Sequence, residues 1–275
     1  MPQTPMVVKP NARVRVLSPH LDDAVLSCGG TLHRMARAGH RVEVVTVFAG
    51  DPPGPPPPFA QALHAVWGYG DAAMAGRRAE DRAALALLGA IPIHLDFPDG
   101  IYRRDARGQP LCAGREDLFR PPRPEESVWI SRLVEALKAL LWAAGDLLLV
   151  PLAIGGHVDH RLVREAVAAW RPPGVIVWFY EDFPYVEREA FVPPAGWRAH
   201  RVFLDEADLE ARAQAVLAYR SQWPIFFARE EEVLERLRAA AQQAGGGIPA
   251  ERFWEPAALE PPFETGWRSH RVDNS

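Results

Sequence analysis

Short aliphatic and β-branched runs recur through the first two thirds of this chain, each trailed by residues whose apolar positions return every three or four places. No other feature restricts the fold as much. Residues 14–17, "RVEVVTVFAG" at 41–50, a run around 93–95, "DLLLVP" at 146–151 and "GVIVWFY" at 174–180 read as buried strands. A strand covered on both faces has no polar side to alternate with. Between them, Val25, Cys28, Leu32 and Met35 form a helical stripe stopped by Gly39, and residues 77–88 form another closed by Gly89. Trp129, Leu133, Leu137 and Leu140 mark a further helix ending at Gly145, and "HRLVREAVAAW" at 160–170 one more. This β-then-α order predicts an α/β, Rossmann-like three-layer fold, with a mostly parallel sheet and helices on both faces.

Some segments fall outside the alternation. "DPPGPPPPF" at 51–59 lacks the N–H donors of a helix or central strand and is expected to loop out, as a spacer or a lid. Residues 99–124 are polar and irregular. From about residue 201 the chain is predicted to add helices ("ARAQAVLAYRSQ", "EEEVLERLRAAAQQ"), a flexible "AGGG" loop and a closing "ERFWEP" segment. These are expected to pack as a C-terminal extension on a single domain spanning 1–275. In a sheet wound 3-2-1-4-5, the loops after 14–17 and after 146–151 flank the point where strand order reverses, which is where open α/β sheets bind ligands.

A chain of 275 residues with 48% hydrophobic content can bury a sizeable core. Its net charge of -4 is spread over the whole length, without a basic stripe, which argues against nucleic-acid and membrane-surface partners. Cys28 and Cys112 lie outside any CxxC spacing, as expected in a reducing compartment. The most apolar stretch, 133–154, is interrupted by Glu135, Lys138 and Asp146, and the first ten residues lack the apolar core of a signal peptide. A cytoplasmic protein without membrane insertion is therefore expected, and a homo-oligomer is compatible with this composition.

The two loops at the predicted switch point hold the residues that carry chemistry. "SPHLDD" at 18–23 contains His20, Asp22 and Asp23, and "GGHVDH" at 155–160 contains His157, Asp159 and His160. A catalytic zinc needs three nitrogen or carboxylate ligands and an open position. His20 and Asp23 can face one side, and either His157 or His160 can supply the third ligand. Asp22 is then left to take a proton. A bound zinc lowers the pKa of its water from roughly 15.7 to about 7, and would cancel the repulsion of the adjacent acids. The first string alone reads equally well as a solvated helix start capped by Asp22. A histidine-rich partner loop after a later strand favours the metal. Asp159 reads either as the orienter of a histidine or as a helix cap. Cys28 reads as core, and "WFYEDFPY" at 178–185 as strand core followed by a candidate pocket wall.

"PHLDD" followed by "HVDH" resembles the paired signature of the PIG-L/LmbE metal-dependent N-deacetylases, which act on N-acetylglucosamine-type substrates. "AGHRVEVVTVFAGD", Arg77 and Glu80 before "ALALLGA", "LDFPDG", "AYRSQ" and "ERFWEP" fall in the family's order, so the resemblance covers most of the chain. It implies a Zn²⁺ ion, or Fe²⁺ or another divalent metal, on His20, Asp23 and His160. It further implies Asp22 as general base, His157 as an imidazolium that stabilises the tetrahedral oxyanion, and Arg77 and Asp99 on sugar hydroxyls. The chain departs from the pattern at Leu21, where the family has proline. It departs again at Gly155, where some relatives have tyrosine, leaving His157 to act alone or Tyr180 or Tyr185 to reach in.

The implied activity is zinc-dependent removal of an acetyl or other acyl group from the amide nitrogen of an N-acetylglucosamine-type amino sugar or glycoconjugate. The alternative is an inactive carbohydrate- or nucleotide-binding protein that keeps the fold. No G-x-S-x-G elbow, P-loop or G-x-G-x-x-G is present to support serine hydrolysis or nucleotide chemistry.

Overall fold

A computed structural model describes residue 9 and residues 12–256. The leader reading of the first ten residues lies almost wholly outside these, as does the chain beyond 256. The expected strands are β1 (Arg13–Ser18), β2 (Arg41–Thr46), β3 (Ile91–His94), β4 (Leu147–Pro151) and β5 (Ile176–Tyr180), paired in parallel in the order 3-2-1-4-5. β4 has no exposed residue, and alternate side chains serve opposite faces of the sheet. Leu147 and Leu149 join Val14, Val16, Val42 and Val44 in one core, while Leu148 and Val150 join Leu17, Val45 and Phe179 in the other.

The helices are α1 (Asp23–Arg37), α2 (Pro58–Trp67), α3 (Ala73–Leu87), α4 (Ser127–Ala139), α5 (Val158–Ala169), α6 (Glu206–Ala218), the single turn α7 (Trp223–Phe226) and α8 (Glu230–Gly245). Residues from α1, α3, α6 and α8 complete the first core, and residues from α4 and α5 complete the second. That gives the three layers. None of the described helices is long and apolar enough to cross a membrane.

Two regions differ from expectation. The proline run loops out only as far as Pro57, because Pro58 opens α2. At a first helical position the missing N–H costs no hydrogen bond, and the fixed φ suits the helix. Further on, the C-terminal extension is not wholly helical: β6 (Arg198–Phe203) and β7 (Ala250–Glu255) widen the sheet, and the "ERFWEP" segment is itself β7. β7 enters antiparallel between β5 and β6. β6 keeps much of its surface exposed, so it lacks the apolar run that marks the other strands. Of the "AGGG" stretch, α8 takes up Ala244 and Gly245, with Gly246 as its left-handed cap.

β7 also anchors the helix that starts the site. The backbone of α1 is non-helical at Cys28, and Glu251 of β7 accepts the freed N–H groups of Gly30 (3.0 Å) and Thr31 (2.7 Å). Arg212 of α6 neutralises Glu251 at 3.1 Å and donates to the carbonyl of Leu26. A Cβ at Gly30 would stand 2.6 Å from a Leu204 methyl and 3.1 Å from the Glu251 carboxylate, so a larger residue here would have to displace the Leu204 side chain.

Candidate active site and metal centre

The loop leaving β1 is shaped by its own polar groups. Ser18 Oγ donates to the carbonyl of His20 (2.6 Å) and accepts the N–H of Ala24 (3.0 Å), doing the work of a helix cap. Asp22 stands at the cap position of α1, yet its side chain makes no capping bond and is buried. That removes the reading of a solvated, Asp22-capped helix start. The N–H of His20 donates to Asp23 Oδ2 at 2.8 Å and fixes that carboxylate. Leu21, where the family has proline, is fully buried in a small core with Trp67, Met74, Ile101 and Tyr102. Packing holds the loop that proline would have stiffened.

The second loop turns between β4 and α5. His157 is the N-cap of α5, its Nδ1 accepting the N–H of Asp159 at 3.2 Å. Asp159 is thus free of capping duty. His160 lies one turn into the helix, and here the two loops meet: Asp23 Oδ2 is 3.1 Å from His20 Nδ1 and 3.2 Å from His160 Nε2. Nitrogen atoms of His20, His157 and His160 also lie within 4.8 Å of one another.

The outer nitrogens of both rings are held. Asp159 Oδ2 lies 2.9 Å from His20 Nε2, and Asp182 Oδ1 lies 2.7 Å from His160 Nδ1. Such carboxylates fix the tautomer and orientation of metal-binding histidines. Asp159 is the orienter rather than the cap, and it is secured in turn by Arg103 and the N–H of Gly100. Asp182 accepts the N–H of Ile154 at 2.9 Å. Reasoning from the sequence missed Asp182. Its one signal was position, just past β5, the strand beside β4.

His20, Asp99 and Asp159 form a second close group. It is the poorer centre, because Asp159 is already committed to Arg103, Gly100 and the His20 ring. Asp99 contacts this group at 3.8 Å from His20 Nε2, while its Oδ1 accepts the N–H of Ile101 at 3.1 Å.

Asp22, Asp23, Asp99, Asp159 and Asp182 are all buried. Burial lowers the proton affinity of His20, but Asp99 and Asp23 outweigh it and raise the ring well above its ordinary pKa. His160 is likewise opposed by burial and driven up to about 9, chiefly by Asp23 and Asp182. Asp23 meets the same burial and is held well below the carboxylate range by His160 and His20. The pocket favours positive charge. Asp22 behaves oppositely: burial and then Asp23 push it up to about 6, against Arg77, whose Nη2 is 3.7 Å away.

The resemblance implied an imidazolium at His157, and the surroundings of the ring point the other way. Burial, and then the charge of His20, hold its proton affinity well below the ordinary value. These surroundings favour the neutral imidazole over the imidazolium. Because Nδ1 accepts a hydrogen bond, the proton resides on Nε2, which is a donor.

Arg77 is buried, with its guanidinium 4.6 Å from the centre of the Trp67 ring. Of the two tyrosines considered, Tyr180 donates to the carbonyl of Leu17 at 3.0 Å and serves the sheet. Tyr185 lies at the site, its ring centre 6.2 Å from that of His160. Gly155 makes room for it: φ there is +79°, and a Cβ would meet the Tyr185 ring at 2.5 Å.

Known proteins share this architecture. Residues 15–171 match the family model PIG-L, described as GlcNAc-PI de-N-acetylase. The chain is 31% identical over 254 residues to 2'-N-acetylparomamine deacetylase of Niallia circulans, covering 86% of this chain and 88% of that protein. The enzyme of the same name from Streptomyces fradiae is 29% identical over 269 residues, covering 89% and 90%. Among solved structures, the zinc-inhibited form of teicoplanin deacetylase superposes with a TM-score of 0.77 at 33% identity, over 88% of this chain and 97% of that one. A40926 pseudoaglycone deacetylase gives 0.73 at 30% identity, over 89% and 97%. With its parallel sheet, its two converging loops and this likeness over most of its length, the chain is an enzyme of the PIG-L family of de-N-acetylases.

Proposed function

We propose that the protein is a divalent-metal-dependent hydrolase that removes the acetyl group from an N-acetylglucosamine-type amino sugar carried on a larger glycoconjugate. The observation that carries this reading is Asp23 Oδ2 standing between His20 Nδ1 and His160 Nε2, while Asp159 and Asp182 hold the far side of each ring. The donor set fits a cation: two imidazoles and one carboxylate, in a pocket with excess negative charge. Zn²⁺ suits it, and the same two-histidine, one-carboxylate set also suits Fe²⁺. When bound on His20, Asp23 and His160, the ion supplies Lewis acidity, which raises the acidity of water and the electrophilicity of an amide carbonyl.

The remaining steps belong to the chain's own residues. Asp22 lies beside the ligand Asp23 and carries no capping bond, so its carboxylate takes the proton of the attacking water and returns it to the departing amine. His157 Nε2–H donates to the developing oxyanion as a neutral group, so no charge need be buried for it beforehand. Arg77 and Asp99 offer a donor and an acceptor to sugar hydroxyls. The named relatives are deacetylases of 2'-N-acetylparomamine, of teicoplanin and of the A40926 pseudoaglycone, which supports an N-acetylated amino sugar carried on a larger molecule.

The test is amine release from a panel of N-acetylated amino-sugar glycosides by the metal-reconstituted protein. Asp22→Asn is expected to lower kcat by ~10²–10⁴ with zinc content unchanged. Full activity in that variant overturns the role of the base. Absence of amine release from every glycoside overturns the whole reading.

A further inference from the structure

Resting on that reading, we propose that α2 is a brace for the substrate sugar, in which Trp67 and His64 are positioning residues for Arg77 and Asp99.

The guanidinium of Arg77 is buried and ion-paired with Asp22, but at a separation too long for a hydrogen bond. Its Nε has no hydrogen-bond partner among the described residues, and its Nη2 is 3.7 Å from Asp22, beyond hydrogen-bond range. What it does have is the indole face of Trp67, the last residue of α2, 4.6 Å from the guanidinium carbon to the ring centre. A cation over an indole is held in position without any of its N–H donors being consumed. The donors stay available for hydroxyl oxygens, whereas a carboxylate partner would have occupied them.

The same helix reaches the other polar group. His64, one turn before Trp67, stacks on the indole with centres 5.4 Å apart and planes 28° apart. Its Nε2 is hydrogen-bonded at 2.6 Å to the hydroxyl of Tyr102. Tyr102 closes the short turn Gly100–Tyr102, which Asp99 caps by accepting the N–H of Ile101, and the N–H of Tyr102 returns to the carbonyl of Asp99 at 2.9 Å. Arg77 on α3 and Asp99 after β3 are thereby tied through one line of contacts, Arg77, Trp67, His64, Tyr102 and Asp99. Leu21, between the ligand His20 and the base Asp22, is buried in the same small core as Trp67 and Tyr102. The brace therefore shares a packed body with the reactive loop. A sugar gripped by Arg77 and Asp99 is registered against Asp22 by α2.

A brace of this kind predicts effects on KM rather than on kcat. The probe is the α-methyl glycoside of N-acetylglucosamine, with amine release measured on the zinc-loaded full chain and zinc content and melting temperature checked for each variant. Trp67→Leu is expected to raise KM about tenfold with kcat within about threefold, and Trp67→Phe, which keeps an aromatic face, to restore most of the loss. Tyr102→Phe removes one hydroxyl without changing the packed volume, and is expected to raise KM several-fold even if Trp67→Leu folds poorly. In the Trp67→Leu, Arg77→Gln pair, the double variant should be little worse than Arg77→Gln alone, because both act through one contact. Unchanged KM in Trp67→Leu and Tyr102→Phe, or effects that multiply in the double variant, overturn the brace while leaving the deacetylase reading intact. An inactive parent enzyme on this and every other N-acetylated sugar overturns both.

Discussion

Buried charge is handled in opposite ways in two regions of the sheet. Beside β7 it is balanced: Glu251 meets Arg212 at 3.1 Å and two backbone N–H groups, and Glu181 meets Arg252 at 2.7 Å and the indole N–H of Trp254 at 2.8 Å. At the crevice between β1 and β4 it is left unbalanced. Asp22, Asp23, Asp99, Asp159 and Asp182 crowd there against Arg77, Arg103 and three histidines, one of which, His157, has its proton affinity lowered by burial and by His20. A buried ion pair neutralised within the chain is architecture, costly to break and silent in chemistry. An uncompensated cluster is stable only when something positive completes it, and that need identifies the site.

The sharpest break of this contrast is His160→Ala. Removing a nitrogen donor from the cluster is expected to abolish zinc retention and amine release together, as read by metal analysis of the purified variant. A variant that keeps stoichiometric zinc would show that the cluster is centred elsewhere. Beside β7, Arg212→Met leaves Glu251 buried without its cation, and is expected to cost about 3–5 kcal/mol of unfolding free energy in denaturant titration. KM and zinc content should stay at parental values, and a change in either would mean that the two regions are coupled.

Between the extremes lies Asp182→Asn, which keeps the shape but weakens the anchor of His160. The expectation is a loss of about 10–100-fold in zinc affinity by competition with a chelator. The smallest effect concerns pH. Asp22 must be ionised to accept a proton, and burial places it at about 6, so kcat/KM should be level above that value and fall about tenfold per pH unit below it. An acid limb that survives Asp22→Asn in the residual activity would assign it to another group.

Much of this was legible in the chain. The apolar runs and helical stripes predict a mostly parallel sheet, because burial on both faces leaves a direct mark on composition, and in the winding 3-2-1-4-5 that the strands adopt, two loops distant in sequence meet. α2 was hidden by its prolines: the string that forbids a helix interior is compatible with a helix start, and only the neighbours decide where the start falls. β6 and β7 were hidden by weak patterning, since β7 finds its partners far along the chain at β5 and β6. Asp182 sits just past the strand-core half of "WFYEDFPY", in the part read as a pocket wall, and no local rule links it to His160.

The sequence by itself determined the types of group available, the alternation that makes a parallel sheet, and the loops that leave its carboxyl edge. Those follow from side-chain chemistry and periodicity, which act over a few residues. Only the tertiary structure decided which ring nitrogen faces Asp23, that burial disfavours a proton on His157, that Leu21 packs where a proline would stiffen, and that α2 stands behind Arg77. Each of these depends on distance and burial between segments remote in the chain, and the energies of charge and packing are set by those separations rather than by order along the backbone.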